Sequence, residues 1–267
     1  MEKNPSRVEG ESAMMTIDKS RCIECGACIA ACSMGMFRRG EDGVVFTREK
    51  PCMDCFHCAA ACPTHAVITH GMTEEETYPE PPESPLLRAI RSRRSIRHFT
   101  PELPDKAVIQ RALDGAAYAP SGKNEHRNRW IVVYGREKIR QLYQMVLEWA
   151  EDVEKYKHVI WLARKGINPV TCDAPCLILG YNHPDALNPQ DDTVIATALA
   201  EQLLVEKGLG VCWSGYFRTA AQGSEAIQRE LGLPEGHRVY SVLMVGVPEE
   251  SYPNIPYRPA ANARWVE

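Results

Sequence analysis

Nothing in this sequence runs apolar long enough to cross a bilayer. Stretches such as VLMVGV, around Val242, stop far short of the roughly 20 residues a spanning helix needs. The first residues, MEKNPSRVEGESAMM, lack the apolar core of a secretion signal, so a cytoplasmic location is the expectation. An excess of positive charge is also missing. The formal net charge is −4, whereas a general nucleic-acid binder needs a basic balance to neutralise phosphates. No G-x-G-x-x-G turn announces a Rossmann dinucleotide site. What remains is an ordinary soluble composition, 44% hydrophobic and 25% charged, over 267 residues. That length suits one large domain, or one medium and one small.

Cysteine is what the chain has in excess. Of 11 cysteines, eight fall in two dense runs, CIECGACIAAC from Cys22 and CMDCFHCAAAC from Cys52. With no export signal, these thiols are expected to stay reduced and available as thiolates for metal. Each run is C-x2-C-x2-C-x3-C, and Pro63 follows the second. A zinc finger uses paired cysteines rather than triplets with a trailing fourth. The segment resembles the two-cluster bacterial ferredoxins over its whole length. In that pattern the first three thiolates of a run converge on one iron–sulfur cube and the fourth serves the other cube, so the run must occur twice. The resemblance implies one [4Fe-4S] cluster on Cys22, Cys25, Cys28 and Cys62, and a second on Cys52, Cys55, Cys58 and Cys32. Ser33 stands where a proline often follows the first run.

Texture divides the chain into a polar stretch over 1–13, a cysteine-rich domain over 14–72, an acidic proline-rich linker over 73–85 and a larger domain over 86–267. In the last, DKAVIQRALDGAAYA places Val108, Ile109, Ala112, Leu113 and Ala116 on one helical face. RWIVVYG, CLILGY and VYSVLMVGV read as strands. TVIATALAEQLLVEKGLG reads as a long apolar helix closed by Gly208 or Gly210. Helices mixed with a few central strands predict an α+β or α/β domain.

Four stretches of this domain point to chemistry. In RSRRSIRHF, Arg93, Ser95 and Arg97 alternate. On an extended segment they share a face, where two guanidinium forks and a hydroxyl suit a phosphate. In APSGKNEHRNRW, Pro120, Ser121 and Gly122 make a tight turn and Asn124 offers an amide. GLGVCWSGYF is glycine-rich, so its backbone can approach a flat ligand closely. YPNIPYRPAANARW supplies Arg258. Taken alone, the arginine run reads as a solvated basic face and the turn as an ordinary loop. In this order, the four resemble the nitroreductase family of FMN enzymes.

That resemblance implies an α+β fold, a homodimer and FMN at the interface. It implies that Arg93, Ser95, Arg97 and Arg258 hold the phosphate and ribityl chain. Pro120, Ser121, Gly122 and Asn124 would approach from the partner chain, and Ser214 and Gly215 would offer backbone N–H groups beside the isoalloxazine. His126, Arg127 and Asn128 depart from the family's usual Gln-Pro-Trp. Residues from WAEDVEKYKHVIWLARKGINP are expected to cap the site. The expected activity is an oxidoreductase that takes electrons through two [4Fe-4S] clusters to FMN and on to a small organic acceptor. An external ferredoxin or NAD(P)H is the donor. Two alternatives stay open: an NAD(P)H-dependent flavin reductase with the clusters as outlet, and an electron-transfer subunit of a larger complex.

Overall fold

The computed structural model describes residues 15–47 and 52–267; the polar stretch over 1–13, and Met14, lie outside the described residues. The chain forms two units. The first comprises the residues up to Ser92 together with Ser251–Glu267, and the second runs from Arg93 to Glu250.

In the first unit the elements are β1 (Met15–Ile17), α1 (Ala27–Ala31), β2 (Phe37–Gly40), β3 (Gly43–Phe46), α2 (His57–Ala61), β4 (Val67–Thr69), α3 (Glu74–Thr77) and α4 (Pro85–Ser92). β1 pairs antiparallel with β4, and β2 with β3. The sequence repeat is also a backbone repeat. Glu24 and Asp54 both have positive φ, at 55° and 50°, and α1 and α2 each begin after a left-handed residue, Gly26 or Phe56. Glycine takes that conformation freely. Phe56 adopts it at φ 58° and a cost of about 1 kcal/mol, held by burial of its ring.

The acidic stretch after Met72 is not all linker. Thr73 and Glu76 form a reciprocal capping box on α3. Tyr78 is buried, stacks on His65 with ring centroids 4.0 Å apart and donates to the Val67 carbonyl at 2.7 Å. An aromatic ring with a satisfied hydroxyl anchors this part of the chain to the cluster unit. The expected boundaries therefore shift. The larger unit starts at Arg93 rather than residue 86 and ends at Glu250, because the segment after it packs with the cysteine unit.

The second unit contains α5 (Lys106–Ala116), β5 (Arg129–Tyr134), α6 (Arg136–Glu151), α7 (Lys157–Arg164), β6 (Cys176–Asn182), α8 (Pro189–Glu206), β7 (Gly210–Trp213), α9 (Gly215–Gly223), α10 (Glu225–Leu231) and β8 (Arg238–Gly246). Its sheet has the order β5-β6-β8-β7, every pair antiparallel. The class is α+β, as expected from the sequence. Central strands β6 and β8 are buried almost throughout, which is why they read as continuous apolar runs. Cys176, Ile178, Leu243 and Val245 turn to one face, against Ile109, Ala112 and Leu113 of α5 and Ala200 and Leu204 of α8. Alternate residues turn to the other face, where α9 packs on β8 and α6 on β5 and β6. Val108, placed on the apolar face of α5 by periodicity, is only half-buried. α8 ends at Glu206, and Gly208 follows it at φ 80°.

Candidate functional site: two thiol quartets and a basic cavity

Two cavities in the first unit are lined by cysteines. One takes in Cys22, Cys25, Cys28 and Cys62, with Ile17, Ile23 and Val67. The other takes in Cys32, Cys52, Cys55 and Cys58, with Met36, Phe37 and Phe46. These are the two crossed quartets expected from the spacing. Electrostatics groups the thiols identically. Burial pushes the Cys28 thiol up to about 11, with Cys62, Cys22 and Cys25 adding to it. Burial also pushes Cys58 up strongly, with Cys55, Cys32 and Cys52 as its thiol neighbours. Backbone N–H groups point at the sulfurs: Met36 to Cys32 at 3.3 Å, Asp54 to Cys52 at 3.4 Å and Ala66 to Cys62 at 3.2 Å. Such donors stabilise thiolate charge on a cluster. Among the described residues no three ligand side chains converge closely enough for a single ion. Ala59 and Ala60 are fully buried, as close packing around α2 requires.

The second unit has an open cavity of about 450 Å³, lined by Arg97, Lys155, Tyr156, Cys172, Cys212, Trp213, Ser214, Gly215, Arg218 and neighbours. Three cations, Arg97, Lys155 and Arg218, and the start of α9 give it a positive lining that suits a negatively charged ligand. Local geometry builds it from the sheet edge. Ser95 bridges in parallel to Val211 of β7, and Ile96 donates to the Val211 carbonyl at 3.0 Å. This extended edge carries Arg97, whose guanidinium donates to the Ser95 carbonyl at 3.1 Å. Ser214 caps α9: its hydroxyl accepts from Phe217 N–H at 3.3 Å and donates to the Val170 carbonyl at 2.5 Å. Its own N–H goes to the Val242 carbonyl at 2.9 Å. That corrects one expectation: Ser214 has no N–H to offer a ligand. Gly215 does stand in the first turn, where the helix supplies no acceptor for an N–H.

Arg93 is tied to Glu201, Nη1 to Oε1 at 3.2 Å, and the indole of Trp213 donates to the other carboxylate oxygen at 2.9 Å. The Glu201 side chain is only 6% exposed. The sequence reading passed over this carboxylate, although a charge inside the apolar TVIATALAEQLLVE was its signal. Arg218 was missed as well, having no motif around it, whereas Lys155 and Tyr156 belong to the expected cap without having been singled out in it. Tyr156, from the expected cap, is buried with its ring edge-on to Trp149 and Tyr216. Cys212 is a buried thiol pushed upward by that burial. Cys172 is half-buried, lines the cavity and takes φ 48°. Cys176 is core.

The structure does not bring every candidate together. Pro120, Ser121, Gly122 and Asn124 do not line this cavity. Gly122 N–H donates to Asp192 of α8 at 3.0 Å, and Asn124 Oδ1 lies 2.7 Å from His126 Nε2. Asp192 and Glu201 are nine residues apart on α8, about 14 Å along its axis. Arg258 is a correction. Its guanidinium donates to the Cys55 carbonyl at 3.2 Å, inside the cysteine unit.

The family model described as the nitroreductase family matches residues 90–247, and that of the 4Fe-4S dicluster domain matches residues 14–63. A protein of Methanothermobacter thermautotrophicus with a provisional NADH dehydrogenase/NAD(P)H nitroreductase designation is 30% identical over 167 residues, 62% of this chain and 78% of its own. An iodotyrosine deiodinase of Thermotoga neapolitana is 26% identical over 62% of this chain and 90% of its own. Among solved structures, a nitroreductase with bound FMN from Desulfitobacterium hafniense superposes with a TM-score of 0.60 at 23% identity. It covers 70% of this chain and all of that one (100%). One from Bacteroides fragilis gives 0.59 at 22% identity, covering 69% and 98%. The fold of Arg93–Glu250 is theirs, and the matched model spans more than half of the sequence. The chain belongs to the nitroreductase family of oxidoreductases, with a 4Fe-4S dicluster domain preceding the family's fold.

Proposed function

We propose that this protein binds FMN in the basic cavity, receives single electrons through two [4Fe-4S] clusters and reduces a small organic acceptor. The observation that carries the reading is the pairing, in one chain, of two crossed thiol quartets with a family cavity lined by Arg97 and the start of α9. FMN, when bound, converts a one-electron supply into two-electron chemistry. The chain's own residues do the rest. Cys22, Cys25, Cys28 and Cys62 would hold one cluster, and Cys52, Cys55, Cys58 and Cys32 the other. Arg97 is the fork for the phosphate, with Ser95 beside it. Arg93 can join only by sharing its charge with Glu201. Gly215 offers a helix-start N–H, which favours negative charge on a reduced ring. Pro120, Ser121, Gly122 and Asn124 would reach the flavin of a partner subunit, which accounts for their distance from this cavity.

That assignment needs a dimer. α8 leaves two large apolar side chains, Ile195 and Leu199, 41% and 39% exposed one turn apart. An apolar helix face of this kind calls for cover, and a second copy of the chain supplies it. No helix among the described residues is long and apolar enough to cross a membrane.

Iron, acid-labile sulfide and flavin analysis of anaerobically purified protein tests the reading. About eight irons and one FMN per chain are expected. A zinc-only or flavin-free protein would refute it. Direct reduction of the flavin by NAD(P)H is a second reading, favoured by the names of the relatives. Bleaching by NADH in the absence of any other donor would support it.

A further inference from the structure

The segment after Glu250 folds with the cysteine unit, and one asparagine is its centre. Asn254 N–H donates to the Ala60 carbonyl at 3.1 Å. Its Nδ2 donates to the Cys62 carbonyl at 2.6 Å and the Ala59 carbonyl at 3.3 Å, and its Oδ1 lies 3.1 Å from His65 Nε2. Four residues on, Arg258 donates to the Cys55 carbonyl at 3.2 Å. Tyr257 meets Phe56 edge-on at 5.6 Å, Tyr252 meets His57 at 5.6 Å, and Ile255 is buried.

All these contacts fall on α2 and its flanks. α2 has five residues, too few to hold helical form alone, and at its end the Ala59 carbonyl takes the Cys62 N–H at 3.0 Å as its local backbone partner. Asn254 donates to three carbonyls here, those of Ala60, Cys62 and, as a second donor beside Cys62 N–H, Ala59. The helix carries Cys58, a ligand of one quartet, and runs straight into Cys62, a ligand of the other. Its placement therefore fixes thiols of both cavities. Arg258 brings a positive charge to the main chain of a third ligand, Cys55.

We propose that the segment 251–258 is a strap that completes the cluster unit, with Asn254 positioning Cys58 and Cys62 and Arg258 tuning the cluster held by Cys55. The inference rests on the two-cluster reading above. A cation near a cluster favours its reduced, more negative form. Removing Arg258 then shifts one midpoint potential downward and leaves the other in place. Removing the Asn254 donors frees α2 and loosens both sites.

The test uses the full-length protein, purified anaerobically with its clusters. Asn254→Ala and Asn254→Asp should release iron to a chelator about tenfold faster than wild type, the scale of one lost buried hydrogen-bond partner. In Asp the acceptor toward His65 survives and the donor toward Cys62 does not, so both variants should behave alike. Arg258→Gln should move the midpoint of one cluster signal to a more negative potential in an EPR-monitored titration, with the FMN content unchanged. Wild-type iron-release rates in both Asn254 variants would overturn the strap. Unmoved potentials in Arg258→Gln would overturn the tuning role, and lost FMN beside them would return Arg258 to the phosphate. If the Asn254 variants do not fold, the Arg258→Gln titration decides alone. Wild-type protein without two cluster signals would sink the cluster reading first, before any variant is compared.

Discussion

Replacing Arg93 with alanine should destabilise the flavin-free protein more than replacing its partner Glu201 with glutamine. The asymmetry follows from burial. The Glu201 side chain is 6% exposed and that of Arg93 31%. Without Arg93, the carboxylate keeps only the Trp213 indole at 2.9 Å as a partner. Leaving one member of a buried ion pair uncompensated costs about 3–5 kcal/mol. The surviving indole bond argues for the low end, about 3 kcal/mol. In Glu201→Gln, by contrast, Trp213 keeps an acceptor and Arg93 turns to water, so the loss is about 1 kcal/mol or less. In a unit of this size each kcal/mol moves the melting temperature by about 2–4 °C. The expected falls are therefore about 6–12 °C for Arg93→Ala and about 2–4 °C for Glu201→Gln. The double variant should recover most of the difference, because no buried charge is then left alone. Calorimetry of the three flavin-free proteins decides. Equal losses, or a larger loss in Glu201→Gln, would refute the claim that Glu201 is a buried charge dependent on Arg93.

Arg97→Ala should weaken FMN binding by about ten- to a hundredfold, the value of one charge-assisted bond, without unfolding the chain. Flavin titration measures it, and an unchanged affinity would make RSRRSIR a merely solvated basic face. Cluster-free protein should lose stability in alkali, since the Cys28 thiol is pushed from 9.0 to about 11. A raised value means the folded state holds its proton longer. The contribution is complete below pH 9 and disappears as pH rises toward about 11. Melting curves across that window test this, and a flat response would contradict it. Ile195→Glu should convert the proposed dimer to monomer in sedimentation, with loss of FMN, because a charge beside the exposed Leu199 on α8 opposes its cover.

The cluster unit was largely legible before any coordinates. Ligand spacing is a local constraint, and the same spacing that places three thiols on one cube leaves the fourth for its neighbour. The central strands were legible too, because residues buried on both faces must be apolar along their length. β7 was not, since Gly210–Trp213 is four residues inside a glycine-rich loop and joins the sheet through β8. Arg97 and Gly215 came together as expected. Pro120–Asn124 fell at the other end of α8, which one chain's sequence could not reveal. The strap was the largest surprise. YPNIPYRP contains nothing that specifies which surface it will cover, and the fit of Asn254 to three carbonyls exists only once α2 has formed. The linker was misread in part for a similar reason: composition averaged over TEEETYPEPPESP hides one buried tyrosine, Tyr78.

The most direct test of electron entry through the clusters is rapid mixing of the anaerobic full-length protein with a low-potential one-electron donor such as reduced ferredoxin, followed by absorbance. The expected record shows cluster bleaching first and flavin bleaching second, with flavin reduction much slower in a Cys55→Ser, Cys58→Ser variant that still binds FMN. Flavin that bleaches before the clusters, or equally fast in the variant, would contradict the entry role.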